Sequence, residues 1–477
     1  MKTPIFDGIN KHSKNRGIPF ISPGHKGRIT MRAKSVSRID LYGYDNDSLD
    51  MKELIAESED IISEKYSTCR TMYLRNGATG GIYAMLGTYT VPGDKIIVDR
   101  QCHRSVVNAM TVLGLSPVFV KRNYNYQLSM SGGVDTDALE KAIISTPDAK
   151  AVVITSPNYY GVVSDIKTIA RICHSYGKKL LVDESLGAHF GFSKNMPQPS
   201  AKQGADVSVQ SASKTLGSLK GGALLHIADP DINFQRICDL VRMYETPSSS
   251  PALLCTLEGA VYYAFENPEL FEKLYREIDK CRKLISENTA IQWLGNELSG
   301  SDYISDMDPF RIVLNLSRAK IDGYTLAENL RKKEDIEAEA ATDNFVICSV
   351  SIYNTVHEIQ KLTRALMNIS KKIEAKSVLV DNVVENAVPE DLDIRMTPEK
   401  AFNATGEFLP SELCLERVSK RTIYRMPDEV PIVFPGERIK NYHILEISKV
   451  LSSKGTVNGR GPANTVEVVS LTESYNL

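Results

Sequence analysis

Between about residues 75 and 230, short runs of β-forming residues alternate with segments of helical periodicity, and this alternation constrains the chain more than any other feature. The runs are KIIVDR (95–100), SPVFVKR (116–122), AVVITSP (151–157), KLLVDES (179–185), DVSVQSAS (206–213) and GALLHIA (222–228). Several are nearly continuous in apolar residues, as strands covered on both faces must be. Between them, 137–145 and 165–175 place apolar residues at helical spacing, and Gly177 is a plausible stop before the next strand. The predicted class is α/β, a mainly parallel sheet flanked by helices.

A chain of 477 residues needs more than one folding unit. After about residue 251 the pattern turns long and helical, in TLEGAVYYAFENPELFEKLYREIDKCRKLISE, and then mixes the strand-like FRIVLNL and FVICSVSI with amphipathic helices. The polar stretch at 383–400 reads as a connection into a C-terminal unit. The expected division is an N-terminal arm (1–60), a large domain (61–270), a small α/β domain (271–380) and a C-terminal domain (381–477).

Charge and cysteine usage narrow the function. Lys+Arg 57 against Asp+Glu 59 gives a net charge of −2, so no overall field favours nucleic acid or an anionic membrane. The N-terminus lacks the apolar core of a secretory signal and no run reaches membrane length, so a cytoplasmic location is expected. Eight scattered cysteines, at 69, 102, 173, 238, 255, 281, 348 and 414, form no C-x-x-C and no zinc spacing. Reduced, mostly buried thiols and no metal are expected.

Four features fall at the ends of expected strands, where open α/β sheets bind ligands. Asn76-Gly77-Ala78-Thr79-Gly80-Gly81 opens a helix, and its small residues would let backbone N–H groups approach a phosphate. His103, in QCHRS, follows KIIVDR. Asp183 ends KLLVDES, and Lys214 lies just beyond DVSVQ, flanked by hydroxyls and small residues. Each alone has a plainer reading: a turn, a packing histidine, a helix cap, a solvated surface charge. In this order they form a phosphate cradle, a flat side chain for stacking, a carboxylate for a pyridinium and an imine-forming amine, the parts a pyridoxal phosphate (PLP) site requires.

The chain resembles the PLP-dependent ornithine/lysine/arginine decarboxylases of aminotransferase-like fold (fold type I). The matching words are Pro23-Gly24-His25-Lys26-Gly27, the NGATGG turn, QCHRS, TSPNYYG (155–161), VDESLGAHFGF, GADVSVQSASKTL and Val433-Phe434-Pro435-Gly436-Glu437. The resemblance is to the short, biosynthetic type, because PGHKG begins at Pro23 and leaves no room for an N-terminal wing domain.

The resemblance implies that Lys214 carries the Schiff base, Asp183 pairs with the pyridine nitrogen and His103 stacks on the ring. It places Ala78, Thr79, Gly80 and Ser211 at the phosphate, Ser185 and Ser213 beside the cofactor, and Ser248 or Ser249 of a partner subunit in the same cradle. It implies a homodimer, with further assembly open. His189 and Lys214 are alternative proton donors. Glu437, Asp45 and Asp47 are carboxylates for the distal cation of a basic substrate, each with a solvated or capping role as the alternative.

Ser213 stands where the family carries histidine before the lysine, and Ser185-Leu186 replace its small residue and following histidine or tryptophan. The expected reaction is decarboxylation of arginine, lysine or ornithine to its amine. The departures motivate a second reading, oxygen-dependent oxidative decarboxylation or transamination. A non-catalytic regulatory paralogue is a third, which the presence of both Lys214 and Asp183 argues against.

Overall fold

All six apolar runs form strands of one seven-stranded sheet in the computed structural model, which describes residues 17–28, 51–125, 127–128, 130–246, 250–374 and 392–471. The strands are Arg70–Leu74 (β1), Lys95–Asp99 (β2), Ser116–Val120 (β3), Ala151–Thr155 (β4), Lys179–Asp183 (β5), Val207–Gln210 (β6) and Ala223–Ile227 (β7), in the spatial order β1-β7-β6-β5-β4-β2-β3. Neighbours from β6 to β3 pair in parallel, whereas β7 runs antiparallel to both β6 and β1. The C-terminal ends of β1 to β6 therefore share one edge. Strand β1 was not anticipated, because RTMYL opens with two polar residues and presents no apolar run.

The strand sequences show why both faces are buried. Ile96, Val98, Ala151, Val153, Leu181, Val207 and Val209 belong to one apolar cluster, while Ile97, Val152, Ile154, Leu180 and Val182 belong to another. Alternate residues of a strand point to opposite faces, so a strand with helices on both sides has no polar face to show. Helix Ile166–Ser175 buries Ile166, Ile169, Ala170, Ile172 and Cys173 on one stripe. Its predicted first residue, Asp165, is instead the N-cap, with a carboxylate oxygen accepting the Thr168 N–H.

The long helical segment is two helices, Pro251–Glu266 and Pro268–Asn288. Pro268 lacks an N–H and bars continuation through Asn267. The second helix crosses the expected boundary at 270/271, and helix Met51–Tyr66 crosses that at 60/61. The short strand Ile18–Phe20 pairs with Ile336–Ala338, tying the described part of the arm to the small unit. That unit contains a four-stranded antiparallel sheet. The C-terminal unit has its own core around Val433, Ile439, Ile447 and Val468, and helix Pro398–Asn403 occupies the end of the expected connection. All eight cysteines are free. Among the described residues no helix is long and apolar enough to cross a membrane, and no cluster suits a metal ion.

Candidate active site

The shared edge of the sheet gathers the predicted residues. Helix α1 (Gly77–Tyr89) follows β1, helix α2 (Arg104–Leu113) follows β2, and the short helix α3 (Ala212–Thr215), which carries Lys214, follows β6. The Asn76 side chain does not cap α1; it donates to the Tyr244 carbonyl, and while the Gly77 N–H donates to the Gly221 carbonyl at 2.7 Å, the next N–H groups of α1 have no side-chain acceptor. Gly77 adopts φ +69° with no atom within 4 Å of the position a Cβ would take. Thr79 is exposed there, Ala78 is half-buried and Gly80 is buried. Gly222, next to the Gly221 that bonds Gly77, accepts the Ser213 N–H at 3.1 Å, and the hydroxyl oxygens of Ser213 and Ser211 are 3.1 Å apart. The result is an uncapped helix N-terminus with open space and hydroxyls beside it, which fits a phosphate.

Asp183 is 2 % exposed, and its Oδ1 accepts both the Ser185 N–H at 3.1 Å and the Ser185 hydroxyl. Oδ2 accepts no hydrogen bond from another described residue. Ser185, which departs from the expected pattern, thus orients the carboxylate and leaves its second oxygen uncommitted. Lys214 Nζ likewise has no hydrogen-bond or ion-pair partner among the described residues. Burial pushes its pKa down from the ordinary lysine value, against the opposing charge of Asp183. Arg311 acts in the same direction as burial, while Glu339 and Glu429 oppose it. An amine with weakened proton affinity and no bound partner is suited to condense with an aldehyde. These residues fit PLP: an anion cradle, an oriented carboxylate and an uncommitted amine.

His103 caps α2. Its Nδ1 accepts the Ser105 N–H at 3.2 Å, and its Nε2 lies 2.9 Å from Glu429 of the C-terminal unit. Both nitrogens are engaged in the ring plane, and among the described residues no aromatic ring stacks on its faces.

Two other expected residues are committed elsewhere. His189 Nε2 is 2.8 Å from Asp308 Oδ1, and its ring stacks on Phe310 at 5.4 Å; both partners of the pair are buried. Its Nδ1 is buried without a hydrogen-bond partner among the described residues, so only one ring nitrogen is committed. Glu437 is fully buried: it accepts the Phe434 N–H at 2.8 Å and lies 3.1 Å from His443 Nε2. Its carboxylate closes the FPGE turn and is not open to a substrate cation within this chain. Asp45, Asp47, Ser248 and Ser249 lie outside the described residues.

Sequence reasoning missed Glu429, Arg311 and Glu339. Arg311 opens the strand Arg311–Asn315, donates through Nε to the Tyr159 carbonyl and lies over that tyrosine ring. Its Nη2 is buried without a partner among the described residues. Glu339 Oε2 accepts the Ser22 N–H at 2.5 Å. No motif marks any of them, since each reaches the site by tertiary contact.

The arginine decarboxylase of Bacillus subtilis (strain 168) is 28 % identical over 469 residues, 96 % of this chain and 95 % of that protein. That of Halalkalibacterium halodurans is 29 % identical over 457 residues, 94 % and 93 % of the two chains. The crystal structure of the Francisella novicida lysine decarboxylase LdcF superposes with a TM-score of 0.73 at 16 % identity, covering 98 % of this chain and 81 % of that one. The fold is accordingly that of the fold type I PLP enzymes. A sequence model described as "Orn/Lys/Arg decarboxylase, major domain" matches residues 3–312, well over half the chain, and the chain belongs to that family of amino acid decarboxylases.

Proposed function

We propose that this protein decarboxylates a basic amino acid, arginine, lysine or ornithine, to the corresponding amine, using PLP held through Lys214. The observation that carries the proposal is the uncommitted Lys214 amine, in a setting that lowers its pKa, facing the charge of a buried, oriented Asp183. The relatives named arginine decarboxylase support the substrate class.

When bound, PLP supplies an electron sink for the pair released as CO₂ leaves. Asp183 would hold the ring nitrogen through the oxygen that Ser185 leaves free. Ala78, Thr79 and Gly80 at the start of α1, with Ser211, hold the phosphate, and Ser213 adds a hydroxyl beside them. His103 covers one ring face. With PLP bound, Lys214 Nζ would be placed to hand a proton to the substrate Cα, and His189, through its unpartnered Nδ1, is the alternative donor. For the distal cation, Glu339 is the carboxylate proposed, because its charge already acts on the Lys214 ammonium. A homodimer in which Ser248 or Ser249 of one subunit completes the other's cradle is part of the same reading.

The test is incubation of the PLP-loaded protein with each of the three amino acids, with and without oxygen. Stoichiometric amine and CO₂ without oxygen uptake is expected. Peroxide, ammonia or aldehyde would replace this reading with the oxidative or transaminating one. Borohydride reduction followed by peptide mapping should place the cofactor on Lys214; a label on another lysine sinks the assignment.

A further inference from the structure

We propose that Glu429, on a turn of the C-terminal unit, is a positioning residue that sets the plane and tautomer of His103. The inference rests on the reading that His103 covers the PLP ring. Glu429 Oε2 lies 2.9 Å from His103 Nε2 and also accepts from Arg104 Nε. The Glu429 carbonyl accepts the Arg104 N–H at 3.3 Å, at the first turn of α2. Side chain and main chain of one residue thus grip the start of the helix that carries the histidine.

The ring geometry follows from the carboxylate. An ionised carboxylate oxygen can only accept, so Nε2, 2.9 Å from Glu429, donates to it, while Nδ1 faces the Ser105 N–H at 3.2 Å and the Ser105 hydroxyl at 2.7 Å. The hydrogen bond from His103 and the adjacent Arg104 guanidinium hold the Glu429 carboxyl down at about 2, so it is ionised at any working pH. The bond is therefore charge-assisted, and it adds electron density to the ring.

The turn delivering Glu429 is braced. The Arg425 Nη2 donates to Asp428 Oδ2 at 2.6 Å, and the Arg425 N–H to the Val430 carbonyl at 3.1 Å. Arg100 of the large domain donates to the Pro431 and Ile432 carbonyls at 2.8 and 2.9 Å, docking the next strand. The Arg104 guanidinium lies over the Tyr424 ring at 5.3 Å. A residue carried on such a turn can hold an imidazole to a fixed plane, which a water in its place could not.

The experiment measures PLP dissociation and the bound-cofactor absorption band for the full-length protein and for Glu429→Gln, Glu429→Ala, His103→Ala and the double variant His103→Ala/Glu429→Gln. Loss of the charge-assisted bond should weaken PLP binding about tenfold in Glu429→Gln and further in Glu429→Ala, and shift the band. In the His103→Ala background Glu429→Gln should have no further effect, because its route to the cofactor is gone. An equal effect in both backgrounds, or none in the wild-type background, overturns the inference. If His103→Ala itself leaves binding and band unchanged, the stacking reading falls instead. Glu429→Gln is nearly isosteric, so unfolding that follows only Glu429→Ala leaves the comparison intact.

Discussion

Gly24 lies against the main chain of Lys214: a Cβ on Gly24 would sit 3.0 Å from the Lys214 carbonyl oxygen and 3.1 Å from the Gly217 nitrogen. The Gly24 N–H donates to the Ser213 carbonyl at 2.8 Å, so the PGHKG loop packs against the main chain that carries the lysine. Its Lys26 is buried, with Nζ donating to the Ile21 and Ser349 carbonyls at 2.7 and 2.9 Å, which pins the loop to the small unit.

Gly24→Ala should therefore displace the lysine-bearing backbone, since the atoms it meets are main chain and cannot swing aside. The expected cost is about 1–3 kcal/mol of stability, with several-fold weaker PLP binding. Chemical denaturation and cofactor titration on the same variant check both.

Asp183→Asn should leave PLP bound yet remove the charge that keeps its ring nitrogen protonated. A fall of roughly 10²–10³-fold in kcat is expected, the size seen when one electrostatic partner of a reacting centre is removed. Steady-state turnover, alongside the visible absorption of bound cofactor, separates loss of chemistry from loss of binding.

Glu184, next in the chain, is 2 % exposed, and burial pushes its carboxyl up to about 8, against hydrogen bonds from Gln210 and Ser200. From 4.5, the ordinary value, up to about 8, the native protein holds a proton that the unfolded chain has released. Its contribution to stability is therefore full below that window and lost as pH rises through it. Glu184→Gln cannot titrate, so the stability difference between pH 5 and pH 8 by urea unfolding should differ from wild type by that missing slope.

Arg122 and Asp99 form a buried ion pair with side chains 1 % and 0 % exposed, the guanidinium Nε donating to Oδ2 at 3.0 Å. Arg122→Ala leaves the Asp99 carboxylate buried without its partner at the end of β2. A loss of about 3–5 kcal/mol is expected, read as a lower midpoint in guanidinium unfolding with an unchanged slope.

The fold was legible where its determinants are local. Strands β2 to β7 announce themselves because burial on both faces demands apolar residues in succession. The strand ends carrying His103, Asp183 and Lys214 were legible for the same reason, since a ligand edge follows from strand direction. Strand β1 escaped because its first two residues are polar, and the break at Asn267 was overlooked although Pro268 marks it.

What the sequence by itself determined is the sheet, the edge at which its strands end and the residues that sit there. Only the tertiary structure decided how those residues are held and which others join them. Glu429 meets His103 from more than three hundred residues away, and Arg311 and Glu339 act on Lys214 from the small unit. The same packing turned His189 inward to Asp308. The physical reason is that hydrogen bonds and charges act over a few ångströms of space whatever the separation along the chain, so a motif can name a side chain but not its partner.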